Sequence, residues 1–198
     1  MNNLSNLYLV GKGGTGKTKI AEYLIQNYGY KQGKVAYPVY SIAINYLDMS
    51  LEPSEKNRPL LQYVGTDIGR NKISQDIWIN RFVEDIWIAQ ETAKDLYNKE
   101  IKFVSDDTRF ENEHLALRDA GWVGLYLDTP KDIRINRLIA RDGDAQEGSL
   151  NHVSETELDS FKDELIKVDT SGSLQQSFEN LEQTLEYIRR KDNVKNSN

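Results

Sequence analysis

The sequence of 198 residues contains no cysteine. This absence excludes disulfide bonds, zinc–thiolate sites and thiol catalysis within the chain. The sequence also has no apolar run long enough to span a bilayer, and its polar start at residues 1–3 lacks the basic and apolar segments of a secretory signal. We therefore expect a cytoplasmic chain that forms one domain with a substantial core.

The sequence also has few histidines, and its net charge is negative. The two histidines, His114 and His152, have no sequence neighbours that would make them bases or metal ligands. The 31 acidic residues outnumber the 25 basic ones, which gives a formal net charge of -6. This balance argues against broad binding of nucleic acid or of anionic membranes. A bound anion must therefore meet a local cluster of cations, and the arginines are clustered.

One glycine-rich segment fits the phosphate-binding pattern G-x-x-x-x-G-K-[ST]. An apolar strand at 7–10 precedes it and apolar residues at helical spacing follow it, so the segment lies at a helix N-terminus. Backbone N–H groups can converge on phosphate oxygens there. We expect Lys17 to reach the β- and γ-phosphates of ATP, and the Thr18 hydroxyl to bind Mg²⁺. The segment consists of Gly11, Lys12, Gly13, Gly14, Thr15, Gly16, Lys17 and Thr18.

Predicted strands and helices alternate along the rest of the chain. This alternation predicts an α/β fold with a doubly wound, five-stranded parallel sheet, in which ligands bind at the carboxyl ends of the strands. Such a fold around a phosphate-binding loop is typical of P-loop kinases. The strands are predicted at 7–10, 34–37, 101–104, 122–127 and 165–168, with Pro38 closing the second.

One connection in the predicted domain is unusually long. About sixty residues separate the second and third strands, far more than one crossover helix requires. We expect this helical insertion, at about 41–97, to hold a second substrate, and the family resemblance described below implies that this substrate is a monophosphate. The other predicted parts are a core at 1–40, 98–135 and 160–190, a short lid at about 136–158 and a disordered tail at about 190–198.

Charged side chains follow the predicted third strand. Asp106 and Asp107 come directly after it, and in P-loop proteins an aspartate at this point holds Mg²⁺ directly or through water. The sequence leaves the choice between them open, with Asp106 the favoured one. Arg109 follows on the same loop, and its guanidinium suits a terminal phosphate better than a lysine does.

Three arginines recur at helical spacing after the predicted fourth strand. Arg134, Arg137 and Arg141 fall at i, i+3 and i+7, on one face of a helix. They could form the solvated side of that helix. However, no acidic residue lies between them on this face, which favours an incoming anion. The polar, glycine-containing segment 142–149 then reads as a mobile lid hinged on the arginine helix.

The insertion carries further candidates for substrate binding. Gln62 could hydrogen-bond a base edge, with Asp67 beside it, and Arg70 could hold a monophosphate. A base could stack on an aromatic side chain, which could be Tyr46, Tyr63 or Trp78 in the insertion, or Phe110 after the third strand. Tryptophans at this spacing are more often part of a core, so each of these residues also has a structural explanation.

The insertion resembles that of a known family. Residues 60–70 have the pattern Leu-Leu-Gln-x-x-Gly-Thr-Asp-x-Gly-Arg, and a tryptophan helix and Asp107–Glu113 follow. Together they resemble the phage deoxynucleoside monophosphate kinases, from the P-loop to the final strand. The resemblance implies transfer of the ATP γ-phosphoryl group to a deoxynucleoside monophosphate (dNMP) with Mg²⁺. It also suggests a homodimer and, if the chain is viral, the host cytoplasm.

The same resemblance implies roles for individual residues. Arg109 would hold the acceptor phosphate, as would Arg70. The pattern Arg-x-x-x-Arg at 137–141 is similar to the segment that opens the lid of adenylate kinases. By that likeness Arg137 would lie over the adenine, and Arg141 would reach the transferring phosphates. Gly172 belongs to a loop after the last strand that is similar to one near the adenine.

Two other families share part of this pattern. Lys12 makes the loop similar to the variant P-loop of partition and cell-division-site ATPases, in which an extra lysine reaches nucleotide across a dimer. That family would make the chain a binding switch, but the aspartate segments typical of it after the second and third strands are missing. Dephospho-coenzyme A kinase is similar in overall plan. The Leu-Gln-x-x-Gly-Thr stretch favours a deoxynucleotide instead.

Overall fold

The computed structural model describes residues 5–50, 57–142 and 157–195. Five strands form one sheet in the order β2-β3-β1-β4-β5. β1 lies at its centre and pairs in parallel with β3 and β4, and β4 pairs in parallel with β5. The predicted five-stranded parallel α/β fold is confirmed. The strands are β1 (Leu7–Val10), β2 (Lys31–Gly33), β3 (Phe103–Ser105), β4 (Val123–Asp128) and β5 (Ile166–Asp169).

Helices connect these strands. A π-helix spans Tyr63–Ile73, inside the segment that resembles the phage kinases, and a 3₁₀-helix spans Glu157–Phe161. No helix of the described residues is long and apolar enough to cross a membrane. The α-helices are α1 (Lys17–Tyr28), α2 (Tyr37–Tyr46), α3 (Arg58–Gln62), α4 (Ile77–Tyr97), α5 (Glu111–Asp119), α6 (Lys131–Asp142) and α7 (Leu174–Lys195).

The central strand β1 is buried along its whole length. A strand covered on both faces reads as a continuous apolar run, as Leu-Tyr-Leu-Val does here. Leu7 and Leu9 belong to a core cluster with residues of α1, β4 and α7, among them Leu24, Leu125 and Leu181. This core fixes β1, and therefore the start of the glycine-rich loop, at the middle of the sheet.

The position predicted for the second strand is wrong. β2 is Lys31–Gly33, where the N–H of Lys31 donates to the carbonyl oxygen of Lys102 at 2.7 Å. The residues expected to form the strand lead instead into α2, which begins at Tyr37 with Pro38 in its first turn. Proline at this position supplies a helical φ without losing a hydrogen bond, so it opened a helix rather than closing a strand.

The last helix, α7, continues to Lys195, within the tail predicted at about 190–198. An ion pair between Arg190 and Glu186, four residues apart, supports this extension. The first strand is observed as predicted, and the third, fourth and fifth predicted strands are displaced by one or two residues from those observed. Most of the predicted lid, and residues 196–198 of the tail, lie outside the described residues.

The chain divides into two compact units. One comprises residues 1–32 and 101–198, and contains the glycine-rich loop. The other comprises residues 33–100, a wider range than the insertion predicted at about 41–97. In this second unit α2 and the π-helix both pack against α4. Its core includes Phe82 and Ile86 of α4, which pack against Gly33.

A buried histidine makes stability of the first unit depend on pH. His114 of α5 is 1% exposed, and its Nδ1 lies 2.9 Å from the Tyr8 hydroxyl. Its Nε2 lies 3.8 Å from the Glu164 carboxylate and has no hydrogen-bond partner among the described residues. Burial lowers the pKa of His114, although Glu164 opposes this effect. Arg118 lowers the pKa further, and Glu111 raises it.

We predict that this histidine destabilises the fold in mild acid. Its pKa is lower in the folded than in the unfolded chain, so below about pH 6.5 the unfolded chain binds a proton that the folded chain does not. The free energy of unfolding should then fall by up to about 1.4 kcal/mol per pH unit from this group. Urea denaturation at about pH 7.5 and about pH 5.5 should show a larger loss in the wild type than in His114→Gln. An equal loss of unfolding free energy in the wild type and in His114→Gln would contradict the assignment of this pH dependence to His114.

Candidate active site

The glycine-rich loop turns sharply between β1 and α1. Gly14 and Gly16 have φ values of 84° and 93°, in the left-handed region that side chains rarely occupy. The Lys17 ammonium folds back over the loop and donates to the carbonyl oxygen of Gly11, and to that of Lys12 at 3.3 Å. The Thr15 hydroxyl also donates to the Lys12 carbonyl, at 2.9 Å. The loop is therefore held from within by its own polar side chains.

Two arginines of α6 hold the loop from outside. Arg134 donates from Nη1 to the Gly13 carbonyl oxygen at 3.1 Å, and Arg137 donates from Nη1 to the Gly14 carbonyl oxygen at 3.5 Å. Arg134 is only 9% exposed. The close approach is made possible by Gly14, since a Cβ there would lie 2.6 Å from the backbone oxygen of Arg134.

The bonded carbonyls determine where the amide groups of the loop point. In a trans peptide the C=O and the following N–H point in opposite directions. Because the carbonyls of Gly11, Lys12 and Gly13 accept from cations, the N–H groups of the next residue in each case face away from those cations. Amides arranged in this way at a helix N-terminus form an anion-binding site.

Oxygen ligands for a divalent cation lie beside the loop. The Thr18 hydroxyl donates to Asp106 Oδ2 at 3.1 Å, and Gln32 Nε2 donates to Oδ1 of the same carboxylate at 3.3 Å. Asp106 is 6% exposed at the end of β3. Asp107 instead accepts from the Ser105 hydroxyl at 2.9 Å. The structure thus brings Asp106, the favoured one of the two aspartates, against Thr18.

This pair fits Mg²⁺ by its chemistry. A hydroxyl and a carboxylate are hard oxygen donors, and Mg²⁺ is commonly held by one or two such groups together with water and substrate phosphates. The described residues contain no cluster of three or more His, Asp or Glu side chains that could hold a metal by itself. Thr18 and Asp106 would therefore share the ion with a nucleotide.

A pocket lies between the loop and the end of β3. Lys12 and Lys17 contribute to one side of it and Arg109 to another, so three cations surround one small space. Lys12 is paired with the carboxylate of Asp159, at 2.7 Å. The Arg109 backbone is fixed by Glu113, whose buried carboxylate accepts from the Arg109 N–H at 2.7 Å. The pocket is lined by Val10, Gly11, Lys12, Lys17, Thr108, Arg109, Tyr126, Leu158 and Asp159.

A second pocket lies on the other side of the loop. Arg137 reaches it from α6, and its Nη2 donates to the carbonyl oxygen of Gly172 at 2.8 Å. Two residues predicted to contact the adenine are thus neighbours. Thr170, which follows β5, is held by a 2.7 Å hydrogen bond to Thr129. The lining residues are Thr15, Gly16, Lys19, Ile20, Arg137, Thr170, Leu174 and Ser177.

The predicted substrate residues of the insertion lie in the second unit. Gln62 and Asp67 are exposed, and Arg70 is half-buried. Trp78 is buried: its indole N–H donates to the Gly65 carbonyl oxygen at 2.7 Å, and its ring covers Gly69. The position of Trp78 is therefore that of a core residue in this unit, where the absence of a side chain at Gly69 makes room for its ring. Its contact with a substrate stays a prediction.

The remaining predicted residues lie in the first unit. Phe110 is half-buried directly before α5, and its N–H also donates to Glu113, at 3.2 Å. Arg141 is exposed in the last turn of α6, next to the start of the predicted lid. Sequence reasoning missed Asp159 and Thr108, and gave Arg134 no role in the loop. The spacing of the arginines was the one signal that pointed to Arg134.

Comparison with known proteins identifies the fold. Models of protein families give no match to the sequence, and neither do curated proteins. A gluconokinase from Sinorhizobium meliloti 1021 is structurally similar, with a TM-score of 0.53 and 15% identity over 96% of this chain and 99% of that one. The Thermus thermophilus protein TT1252 is also similar, with a TM-score of 0.57 and 18% identity over 93% and 97%.

A third similar structure is the shikimate kinase from Acinetobacter baumannii in complex with shikimate. It has a TM-score of 0.54 and 14% identity, over 94% of this chain and 96% of that one. The similarity covers nearly the whole length of each protein. The chain therefore has the α/β fold of P-loop kinases, with the sheet and flanking helices described above.

We predict that close contact between the loop and α6 requires glycine at position 14. In Gly14→Ala the new methyl group would meet the Arg134 backbone, in addition to the strain of a positive φ. In the control Gly16→Ala the φ is also positive, but nothing lies within 4 Å of the new Cβ. Strain alone should cost about 1–2 kcal/mol, and the contact about 1–3 kcal/mol more. Urea denaturation without ligand measures the free energy of unfolding of each variant. An equal loss of stability in the two variants would contradict this packing of the loop against α6.

Proposed function

We propose that this protein is a P-loop kinase that transfers the γ-phosphoryl group of ATP to the phosphate of a deoxynucleoside monophosphate. The observation that carries the proposal is the pocket beside the loop. Lys17, from the nucleotide-binding motif, and Arg109, from the end of β3, line the same space. Cations from two different elements around one space suit a group that passes from one phosphate to another.

The ATP side of this proposal follows from the loop. The amides that face away from Lys17 and Arg134 would bind the phosphates, and Lys17 would move from the loop carbonyls to the β- and γ-phosphates. The pocket lined by Arg137, which donates to the Gly172 carbonyl oxygen, would take the adenine. Thr18 and Asp106 would hold Mg²⁺, which supplies positive charge for the phosphate oxygens when bound.

The acceptor side follows from Arg109. Its guanidinium can form two parallel hydrogen bonds with a phosphate, which fixes the direction as well as the distance of the acceptor. Phosphoryl transfer requires mainly positioning and charge stabilisation, and an acceptor phosphate is already anionic, so no strong base is needed. Arg141, at the end of α6, would add a further cation when the lid closes. Closure would also exclude water, which otherwise would accept the phosphoryl group.

The choice of a deoxynucleotide depends on the second unit. The Leu-Gln-x-x-Gly-Thr-Asp stretch, on which the likeness to phage kinases rests, runs from the end of α3 into the π-helix. Gln62 at the end of α3 and Asp67 in the π-helix expose polar side chains, which suits hydrogen bonding to a base. Arg70 and Phe110 remain the proposed contacts with the monophosphate and the base. A π-helix is uncommon and is often found at functional sites, which supports a binding role for this segment.

A kinase acting on a hydroxyl group is the second candidate. Two structural neighbours are named for gluconate and shikimate, which are hydroxy acids, and Arg109 would bind a carboxylate as readily as a phosphate. A hydroxyl acceptor must lose a proton, and Asp159 is a carboxylate in the wall of the pocket. The partition-type alternative is less supported, because Lys12 is paired with Asp159 of its own chain.

A coupled ADP-release assay tests the proposed function. The purified chain receives Mg-ATP with dTMP, dUMP, dGMP, dCMP or dAMP, their ribose counterparts, gluconate, shikimate, dephospho-coenzyme A, or no acceptor. We expect release that depends on a dNMP and exceeds the rate with the matching ribonucleotide. ADP release only with gluconate or shikimate would show that the acceptor is a hydroxy acid rather than a dNMP. Slow ADP release at the same rate with every acceptor, and with none, would favour the partition-type ATPase.

The variant Asp159→Asn separates the two kinase candidates. If the acceptor is a phosphate, loss of this negative charge leaves Lys12 available to phosphate and removes a repulsion, so the KM for ATP should fall by roughly two- to fivefold. If Asp159 is the base for a hydroxyl acceptor, kcat should instead fall by about 10²-fold or more. Steady-state kinetics on the best acceptor from the panel decide between these results. A fall in kcat of that size with a dNMP would contradict the phosphate-acceptor mechanism.

A further inference from the structure

One buried hydroxyl beside the cationic pocket has no partner. Thr108 lies between Asp107 and Arg109 in the loop that follows β3, and it is 2% exposed. Its Oγ1 makes no hydrogen bond to any part of the chain that the structure describes. Thr108 nevertheless lines the same pocket as Lys17 and Arg109. Thr108, whose hydroxyl is buried, and the cationic residues therefore line one pocket.

Such a hydroxyl lowers stability unless something binds it. A buried polar group that lost its water without gaining a partner makes folding less favourable, and most buried polar groups in proteins are therefore satisfied. A missing partner at a site lined by Lys12, Lys17 and Arg109 is most simply supplied by an anion. A hydroxyl donates readily to a phosphoryl oxygen, and a hydrogen bond to a charged acceptor is stronger than one to a neutral group.

We propose that the Thr108 hydroxyl donates a hydrogen bond to a phosphoryl oxygen bound in this pocket, and that Thr108 is a further substrate-binding residue. This proposal rests on the proposed function, because it assumes that the phosphoryl group belongs either to ATP or to the phosphate acceptor. Both sources present the same chemistry, a tetrahedral group with anionic oxygens. No covalent step is assigned to Thr108.

The neighbouring contacts explain why this hydroxyl would be in place before the ligand arrives. The Arg109 and Phe110 N–H groups both donate to the Glu113 carboxylate, at 2.7 and 3.2 Å. Asp107, on the other side, is held by Ser105 at 2.9 Å. The backbone is thus fixed on both sides of Thr108, and little conformational freedom remains to be lost on binding.

The variants Thr108→Val and Thr108→Ser test this assignment. Valine keeps the branched shape and removes the hydroxyl, whereas serine keeps the hydroxyl and removes a methyl group. Without ligand, Thr108→Val should unfold at the same temperature as the wild type or at a higher one, because it removes an unsatisfied polar group. A hydroxyl with a structural role would give the opposite result, a clearly lower unfolding temperature for valine.

Kinetics then identify the source of the phosphoryl group. Thr108→Val should raise the KM of one substrate, or lower kcat, by roughly tenfold or more, and Thr108→Ser should restore most of the loss. An effect on the dNMP KM assigns the hydroxyl to the acceptor phosphate, and an effect on the ATP KM assigns it to the γ-phosphoryl group. A fall in kcat alone assigns it to the group in transfer. Unchanged constants for both substrates in Thr108→Val would overturn the proposal.

A binding measurement keeps this test separate from the proposed function. The rise in unfolding temperature is measured for each variant with a non-hydrolysable Mg-ATP analogue and with inorganic phosphate. Suppose that no dNMP is phosphorylated, but that Thr108→Val reduces one of these rises in unfolding temperature and Thr108→Ser keeps it. The proposed acceptor is then wrong, and the role of Thr108 stands. If the rise in unfolding temperature with each ligand is the same in Thr108→Val as in the wild type, Thr108 does not bind the phosphoryl group, whichever acceptor the enzyme uses.

Discussion

The hydrogen bonds that hold the loop carbonyls are the constraint on which the rest of the site depends. A glycine-rich loop has many accessible conformations, and an anion site requires one in which several amides point the same way. Lys17 from α1 and Arg134 from α6 fix those amides by binding the carbonyl oxygens behind them. Because Arg134 donates to the loop from a different element, this arrangement requires α6 to pack directly against Gly14.

The order of strands explains how these elements meet. β1 lies at the centre of the sheet, with β3 and β4 on either side. The carboxyl ends of parallel strands share one edge, so the loop after β3 and the helix after β4 both border the segment after β1. Asp106 and Arg109 come from the first, and the α6 arginines come from the second. The Thr18–Asp106 pair and the two pockets can therefore surround one loop, although their residues are distant in sequence.

Different parts of this arrangement were predictable to different degrees. The loop is a local motif in which each residue has a role set by its neighbours, and the sheet followed from alternating strands and helices. The second strand was misplaced because Pro38 fits a strand end and a helix start equally well, and tertiary packing selected the helix. Asp159 and Thr108 could not be predicted, since their importance comes from burial and from contacts with distant elements. The acceptor-side residues of the second unit rest on resemblance, because an exposed Gln62 or Asp67 has the same appearance on any polar surface.

The position at which the phosphoryl group arrives tests the central claim most directly. Phosphorus NMR of a reaction with Mg-ATP and the best nucleotide acceptor distinguishes the new bond by its coupling. We predict that the phosphomonoester singlet of the deoxynucleotide disappears, and that two diphosphates form for each ATP consumed, because the new deoxynucleoside diphosphate and ADP both give paired doublets. A phosphate ester on a sugar hydroxyl, or inorganic phosphate alone, would show that the cations of the pocket do not join two phosphates.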